Sequence, residues 1–316
     1  MSAEPSVALS IVTSMYASES FLDEFHARCT AAATQLVGNS YEIVFVNDGS
    51  PDNSLQIAIG MSHRDPRVRV IDLSRNFGHH KALMAGLSHA RGDLVFLLDC
   101  DLEEDPGWLP AFEESRRASS VDVVYGVQDE RKGGWIERQA GRIFFRIFNR
   151  MLTHPVPPNV TTARLMTRRY VRALVSHTER EISLAGLCVL TGFDQRPLVV
   201  HKGSRRQTSY TVRKRVSVFA NAITSLSNRP LVYIFQIGAA VMALSVVAAV
   251  VLLYRSLHGQ IGVPGWASIM VSIWFLGGLI IFCVGVIGMY LAKIFLEVKQ
   301  RPNTIVRAEY GPDRRP

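Results

Sequence analysis

Apolar and polar positions follow two different periods along the first 130 residues. VALSIVT (7–13), EIVFVND (42–48), VRVIDLS (68–74), LVFLLD (94–99) and VDVVYG (121–126) are short runs rich in β-branched and aliphatic residues, and each predicts a strand. The stretches between them carry helical spacing: Ser20 to about Val37, then SLQIAIGMSH, then KALMAGLSHARG, which ends at Gly92. Strands that are apolar throughout and alternate with helices predict a parallel sheet covered on both faces. In such sheets, ligands bind beyond the carboxyl ends of the strands.

The pattern changes in the last quarter. Residues 231–254 contain no Asp, Glu, Lys or Arg, and neither do residues 266–292, WASIMVSIWFLGGLIIFCVGVIGMYLA. A helix needs about 20 apolar residues to cross a bilayer, so both runs predict membrane spans rather than buried core helices. Arg213, Lys214, Arg215 and Arg229 precede the first run, and Lys293, Lys299, Arg301 and Arg307 follow the second. The connecting RSLHGQIGVPG holds one Arg and one His. This bias predicts a hairpin with both termini cytoplasmic. The opening MSAEPSVALS has neither a basic nor a long apolar region of the secretory kind, so residues 1–210 are expected to stay in the cytoplasm.

Composition sharpens this picture. Of 316 residues, 48% are hydrophobic, and the net charge is +8. The basic residues crowd near the apolar runs, so anionic lipid suits them better as a partner than nucleic acid, which is not expected. Cys29, Cys100, Cys188 and Cys283 show no paired metal spacing and are expected as free thiols.

Three predicted strands end in polar residues: Thr13-Ser14-Met15-Tyr16, Asn47-Asp48-Gly49-Ser50 and Asp99-Cys100-Asp101. No G-x-G-x-x-G follows the first strand and no G-x-x-x-x-G-K-[ST] occurs, so dinucleotide and P-loop fingerprints are both missing. The acidic run is the densest signal, with Asp99, Asp101, Glu103, Glu104 and Asp105 within seven residues. Alternate side chains of an extended segment point the same way, so Asp99 and Asp101 can reach one ion. Mg²⁺ or Mn²⁺ prefers such oxygen ligands and bridges them to phosphates. A lone D-x-D is more often a solvated acidic turn, and Asp105 before Pro106 suits a helix cap for PGWLPAFEESRR.

The wider string decides between these readings. NDGSPDNS, SRNFGHHKA and DCDLEEDP, in this order and spacing, closely resemble the inverting glycosyltransferases of family 2, and more narrowly the membrane-anchored polyprenyl-phosphate glycosyltransferases. The resemblance runs from about Val7 to Arg215 and continues through the two-span tail. It implies a GT-A fold, a Rossmann-like and mostly parallel α/β sheet with helices on both faces, followed by a two-helix transmembrane hairpin. The implied boundaries are a catalytic domain at 1–210, a juxtamembrane segment at 211–230, the two spans at 231–292 and a cytoplasmic basic tail at 293–316.

The same resemblance implies roles for particular residues. Thr13, Ser14 and Tyr16 stand where the family holds the nucleotide, Asp48 where it meets the base, and Arg75, Asn76 and Gly78 in a loop beside it. Asp99 and Asp101 match the metal-binding, catalytic D-x-D, and Asp99 also counts with the nucleotide set. Glu103 occupies a position where relatives often carry Gln, so it is a third metal-ligand candidate. Gly49 and Ser50 equally suit a plain turn and helix cap, and Asn76 equally suits loop shaping. His79 and His80 are not assigned a role, because histidines at a helix start are common.

The implied acceptor is a polyprenyl phosphate, undecaprenyl or dolichyl, and the donor a UDP- or GDP-linked sugar. Residues 135–152, WIERQAGRIFFRIFNRML, place Arg138, Arg142, Arg146 and Arg150 four apart beside an apolar stripe, which predicts a helix in the membrane interface. Arg138 and Arg142 are acceptor-phosphate candidates. The basic stretch HKGSRRQTSYTVRKR resembles the family's acceptor element, with Arg205 or Arg206 and Ser209 as phosphate ligands. A processive synthase would carry a QxxRW element and more spans, and a nucleotidyltransferase would carry a glycine-rich, lysine-bearing first loop; neither is present. A non-catalytic membrane scaffold is disfavoured by the intact Asp48, Asp99 and Asp101. Assembly into homo-oligomers is left open.

Overall fold

The computed structural model describes residues 7–128, 150, 155, 157–180, 183–203, 229–258 and 266–312. The helix expected at 135–152, with Arg138 and Arg142, therefore lies outside the described residues except for Arg150. So do Arg205, Arg206, Ser209 and the juxtamembrane segment.

The first four expected strands form as β1 (Leu9–Met15), β2 (Tyr41–Asn47), β3 (Val68–Leu73) and β4 (Leu94–Leu97). Helices α1 (Leu22–Val37), α2 (Ser54–Arg64) and α3 (His79–His89) lie between them. A single 3₁₀ turn at Pro106–Trp108 opens α4 (Leu109–Ser119), and Asp105 Oδ1 caps it by accepting from Gly107 N–H at 2.9 Å. Every residue of β1, β2 and β3 is buried, the mark of strands covered on both faces. One apolar layer, including Phe25, Phe45 and Phe96, packs under α1, α2 and α4. The other, including Val46, Leu83 and Tyr170, packs under α3 and the helices that follow.

The sheet is more mixed than the sequence predicts. Its order is β7-β5-β6-β4-β1-β2-β3-β8. The β1–β2, β2–β3 and β1–β4 pairs are parallel, and their carboxyl ends open together. The fifth expected strand, β5 (Val123–Gln128), does not extend this parallel set. It pairs antiparallel with β6 (Val160–Thr167), which is itself antiparallel to β4. After β6 come α5 (Arg168–Val175), α6 (Leu184–Leu190) and β7 (Gln195–Val200), which runs parallel to β5.

Two compact units make up the chain, one with the sheet and its helices, the other with the long C-terminal helices. The latter are α7 (Arg229–Leu257) and α8 (Trp266–Val298), of 29 and 33 residues. Among the described residues, one stretch, Phe275–Val298 in α8, is long and apolar enough to cross a membrane. Ile281, Phe282 and Val284 are largely exposed along it, whereas a soluble core helix would hide such a surface. The tail read as merely basic returns to the first unit: β8 (Val306–Tyr310) pairs antiparallel with β3 and closes that edge of the sheet.

Candidate active site at the carboxyl ends of the parallel strands

The chain leaves β1, β2 and β4 on one side of the sheet, and a cleft of about 280 Å³ opens there. Ser14 and Tyr16 line it from β1, Asp48 from the end of β2, Asn76 from the loop before α3, and Asp99 and Asp101 from the end of β4. These six are all drawn from the residues the sequence singles out. Thr13 lies beneath the cleft, fully buried in β1. Arg75 is exposed, with its guanidinium 4.1 Å from the centre of the Phe77 ring.

Asp48 organises the wall beside α3. It is buried, and its two carboxylate oxygens accept from Phe77 N–H at 2.7 Å and Gly78 N–H at 3.0 Å. The carboxylate therefore holds the 75–78 loop at the helix start, where backbone N–H groups favour an anion. Burial raises its pKa despite these bonds. Gly49 makes the close approach of the two loops feasible: its φ is +63°, and a Cβ there would sit 2.5 Å from Asn76 N.

Asp99 and Asp101 occupy unlike surroundings. Asp99 Oδ2 accepts from Thr162 Oγ1 at 3.0 Å, which ties β6 to the D-x-D. Its Oδ1 lies 3.2 Å from His79 Nε2, and His79 Nδ1 lies 2.9 Å from Ser14 Oγ. Burial works against the charge of Asp99, but His79 outweighs it and the pKa falls. For His79 the balance is mirrored: burial lowers its pKa, Asp99 raises it, and the net direction is up. Asp101 Oδ1 accepts from Glu103 N–H at 2.9 Å, and burial, aided by the Asp99 charge, raises its pKa. Leu102 between them turns the chain with φ at 60°, a conformation uncommon outside glycine. Cys100 points into the core instead, where its Sγ donates to Ser14 O at 3.1 Å, and burial pushes its thiol up to about 12.

A second layer of acids sits under the first. Glu104 is fully buried and accepts from Thr162 N–H at 2.9 Å and Asp99 N–H at 3.2 Å. Burial, with Asp99 next in weight, pushes it up to about 7. Lys202 Nζ stands 3.3 Å from Glu103 Oε2 and 3.7 Å from Glu104 Oε1. The Glu103 carboxylate is thus engaged by Lys202.

Asp99 and Asp101 fit a divalent cation. Asp99 Oδ1 is buried with no well-formed hydrogen bond, its charged neighbour His79 Nε2 lying 3.2 Å away, and two acids with a raised and a lowered pKa share one cleft. Among the described residues no group of three His, Cys, Asp or Glu could hold a metal alone. Two carboxylates completed by phosphate oxygens and water is an arrangement Mg²⁺ commonly uses.

Residues 10–175 match the model of the family described as glycosyl transferase family 2. The chain belongs to that family. A Mycobacterium tuberculosis protein with only a general glycosyltransferase description is 50% identical over 305 residues, spanning 96% of this chain and 89% of the relative. The bactoprenol glucosyl transferase of Shigella phage SfII is 30% identical over 305 residues, spanning 96% of this chain and 98% of the relative. Mannosyl-3-phosphoglycerate synthase from Rubrobacter xylanophilus is 17% identical, with a TM-score of 0.46 over 71% of this chain and 74% of that one. The family 2 glycosyltransferase described here has the GT-A-like mixed α/β fold.

Several residues of this glycosyltransferase site have contacts that the sequence does not predict: Thr161–Thr162 is legible as a candidate sugar-pocket stretch, but not as a partner of Asp99. His79, set aside as an ordinary helix-start histidine, bridges Ser14 and Asp99. Its position directly after the SRNFG block is the signal that could have marked it. Thr162 and Lys202 reach the acids from β6 and from just beyond β7, and local spacing cannot show contacts that far along the chain.

Proposed function

We propose that this glycosyltransferase moves a sugar from a UDP- or GDP-linked donor onto a polyprenyl phosphate at the cytoplasmic face of the plasma membrane, with inversion at the anomeric carbon. The observation that carries the reading is the convergence of Asp48, Asp99 and Asp101 on one cleft beyond β1, β2 and β4. The lipid acceptor is supported by the nearly end-to-end match to a bactoprenol glucosyl transferase and by the exposed apolar length of α8.

Polar atoms of this chain divide the work. Asp48 takes up the N–H groups of Phe77 and Gly78 and so fixes the loop before α3 that borders the donor. Ser14, Tyr16 and Asn76 form the remaining nucleotide wall. Thr13, buried in β1, and Arg75 and Gly78, in the loop before α3, do not line the cleft and stand as nucleotide candidates by the family resemblance alone. Thr162 keeps Asp99 turned into the cleft. Asp99 and Asp101, with Glu103 as a third candidate, would hold Mg²⁺ or Mn²⁺, which supplies charge neutralisation for the departing diphosphate. The attacking group is a phosphate monoester whose second pKa is near 6, so it is largely ionised at neutral pH and needs no strong general base. Arg138, Arg142, Arg205, Arg206 and Ser209 are the candidates for orienting it. The hairpin of α7 and α8, flanked by basic residues, would hold the site at the lipid surface, with anionic lipid as a further partner.

Membranes carrying the full-length protein, incubated with labelled UDP- and GDP-sugars and undecaprenyl or dolichyl phosphate, test this reading. A labelled, organic-extractable lipid that depends on the acceptor and on Mg²⁺ or Mn²⁺ is the expected product. Transfer to no lipid with any donor overturns it.

A further inference from the structure

Residues 299–305 lead from α8 into β8, and the pairing of β8 with β3 carries one irregularity. Asp72 faces Ala308 and Leu73 faces Val306, so Arg307 is an extra residue opposite that step. A bulge of this kind bends the strand and re-aims a side chain. Here Arg307 meets Asp72 with two prongs, Nε 2.8 Å from Oδ2 and Nη2 3.1 Å from Oδ1.

Asp72 is 2% exposed, and its Oδ1 also accepts from Asn47 Nδ2 at 2.8 Å. Asn47 is the buried last residue of β2, and its Oδ1 accepts from Ser50 N–H at 3.1 Å. Ser50 Oγ in turn accepts from Ala17 N–H at 2.8 Å, next to Tyr16 on the cleft wall. An unbroken polar chain therefore runs from the C-terminal strand to two of the loops that form the nucleotide wall.

A second set of contacts fixes β8 without touching that wall. Glu309 lies 3.6 Å from Arg69 Nη2 and 3.4 Å from His89 Nε2, and Arg69 Nη1 donates to His89 O at 2.9 Å. These groups secure the strand toward the amino-terminal part of β3 and the end of α3. Anchoring the strand and addressing the cleft thus fall to different side chains.

We infer that Arg307 is a positioning residue for the donor site: through Asp72 and Asn47 it holds the Asp48–Ser50 turn in the shape that takes a nucleoside diphosphate. The inference rests on the donor reading proposed above. Without the guanidinium, the buried Asp72 keeps Asn47 as its side-chain donor, and the turn loses the fixed end of its support.

Calorimetric binding of UDP and GDP with Mg²⁺ to the full-length protein in detergent, alongside thermal midpoints, tests it. Arg307→Ala should weaken binding of whichever nucleotide the wild type takes by about 10-fold, and Arg307→Lys should restore part of it. Glu309→Ala should lower the midpoint and leave the affinity unchanged. Equal affinities in Arg307→Ala, Glu309→Ala and wild type overturn the inference. If Arg307→Ala does not fold, Arg307→Gln decides: weakened binding supports the role, and wild-type binding overturns it. A wild type that binds neither nucleotide brings down the donor reading itself, and the inference with it.

Discussion

Thr162 Oγ1 donates a 3.0 Å hydrogen bond to Asp99 Oδ2, joining residues that stand 63 positions apart. The bond fixes one oxygen of the first D-x-D acid, while the other lies 3.2 Å from His79 Nε2. Thr162→Val keeps the shape and removes the donor, so Asp99 gains rotational freedom. Steady-state transfer should fall about 10- to 100-fold, with a matching rise in the Mg²⁺ or Mn²⁺ concentration needed for half-activity. Asp99→Asn should fall further, to the background of the assay, with the thermal midpoint little changed.

Gly49→Ala tests the contact between the NDGS and SRNFG loops. The added methyl meets Asn76 N at 2.5 Å, at a backbone φ of +63°. A cost of about 1–3 kcal/mol is expected from the conformation alone. The expected outcome is a lowered midpoint in thermal unfolding together with weaker nucleotide binding, since the two loops must separate.

Asp52 gives the fold an acid-sensitive joint. It accepts from Ser54 Oγ at 2.6 Å, Ser54 N–H at 3.1 Å and Glu19 N–H at 3.0 Å, and also from Ser50 Oγ. Burial raises its pKa, but these bonds win and bring it from 3.8 to about 2. A depressed folded-state pKa means stability present above the unfolded value and lost as pH falls through the folded one. Thermal midpoints should therefore drop between about pH 4 and pH 2, and Asp52→Asn should flatten that part of the profile while lowering the midpoint at pH 7.

Val284 lies within the Phe275–Val298 run and is 62% exposed. If that run lies in lipid, Val284→Arg costs about 2.5–3.5 kcal/mol of insertion. Wild-type protein should stay in the membrane pellet after alkaline carbonate washing, and the variant should be partly released.

The parallel half of the sheet is legible in the sequence because each of its strands is a short apolar run between helical stretches. The cleft follows, since Asp48 and Asp99 come just past strand ends. The antiparallel half is harder to read. β6 carries Arg164 in the middle of the strand, yet the residue is 3% exposed because its guanidinium donates to Thr161 O and Thr162 O. A buried arginine looks, in sequence, like a surface residue. β8 reads as a basic tail because it is an edge strand with charged residues along it, and its partner Asp72 is 235 positions away from Arg307. The roles of His79, Thr162 and Lys202 come from such long-range pairings, which local periodicity does not encode.

Cys100 sits between the two acids of the D-x-D, yet it is buried, its Sγ donates to Ser14 O, and burial holds its thiol up to about 12. Alkylating reagents attack thiolates, so maleimides and iodoacetamide should pass this position by while the protein is folded. On the function proposed above, an inhibitor must then compete for the carboxylates or the proposed nucleotide wall, and cysteine labelling near the D-x-D becomes a sensor of unfolding rather than of cleft occupancy.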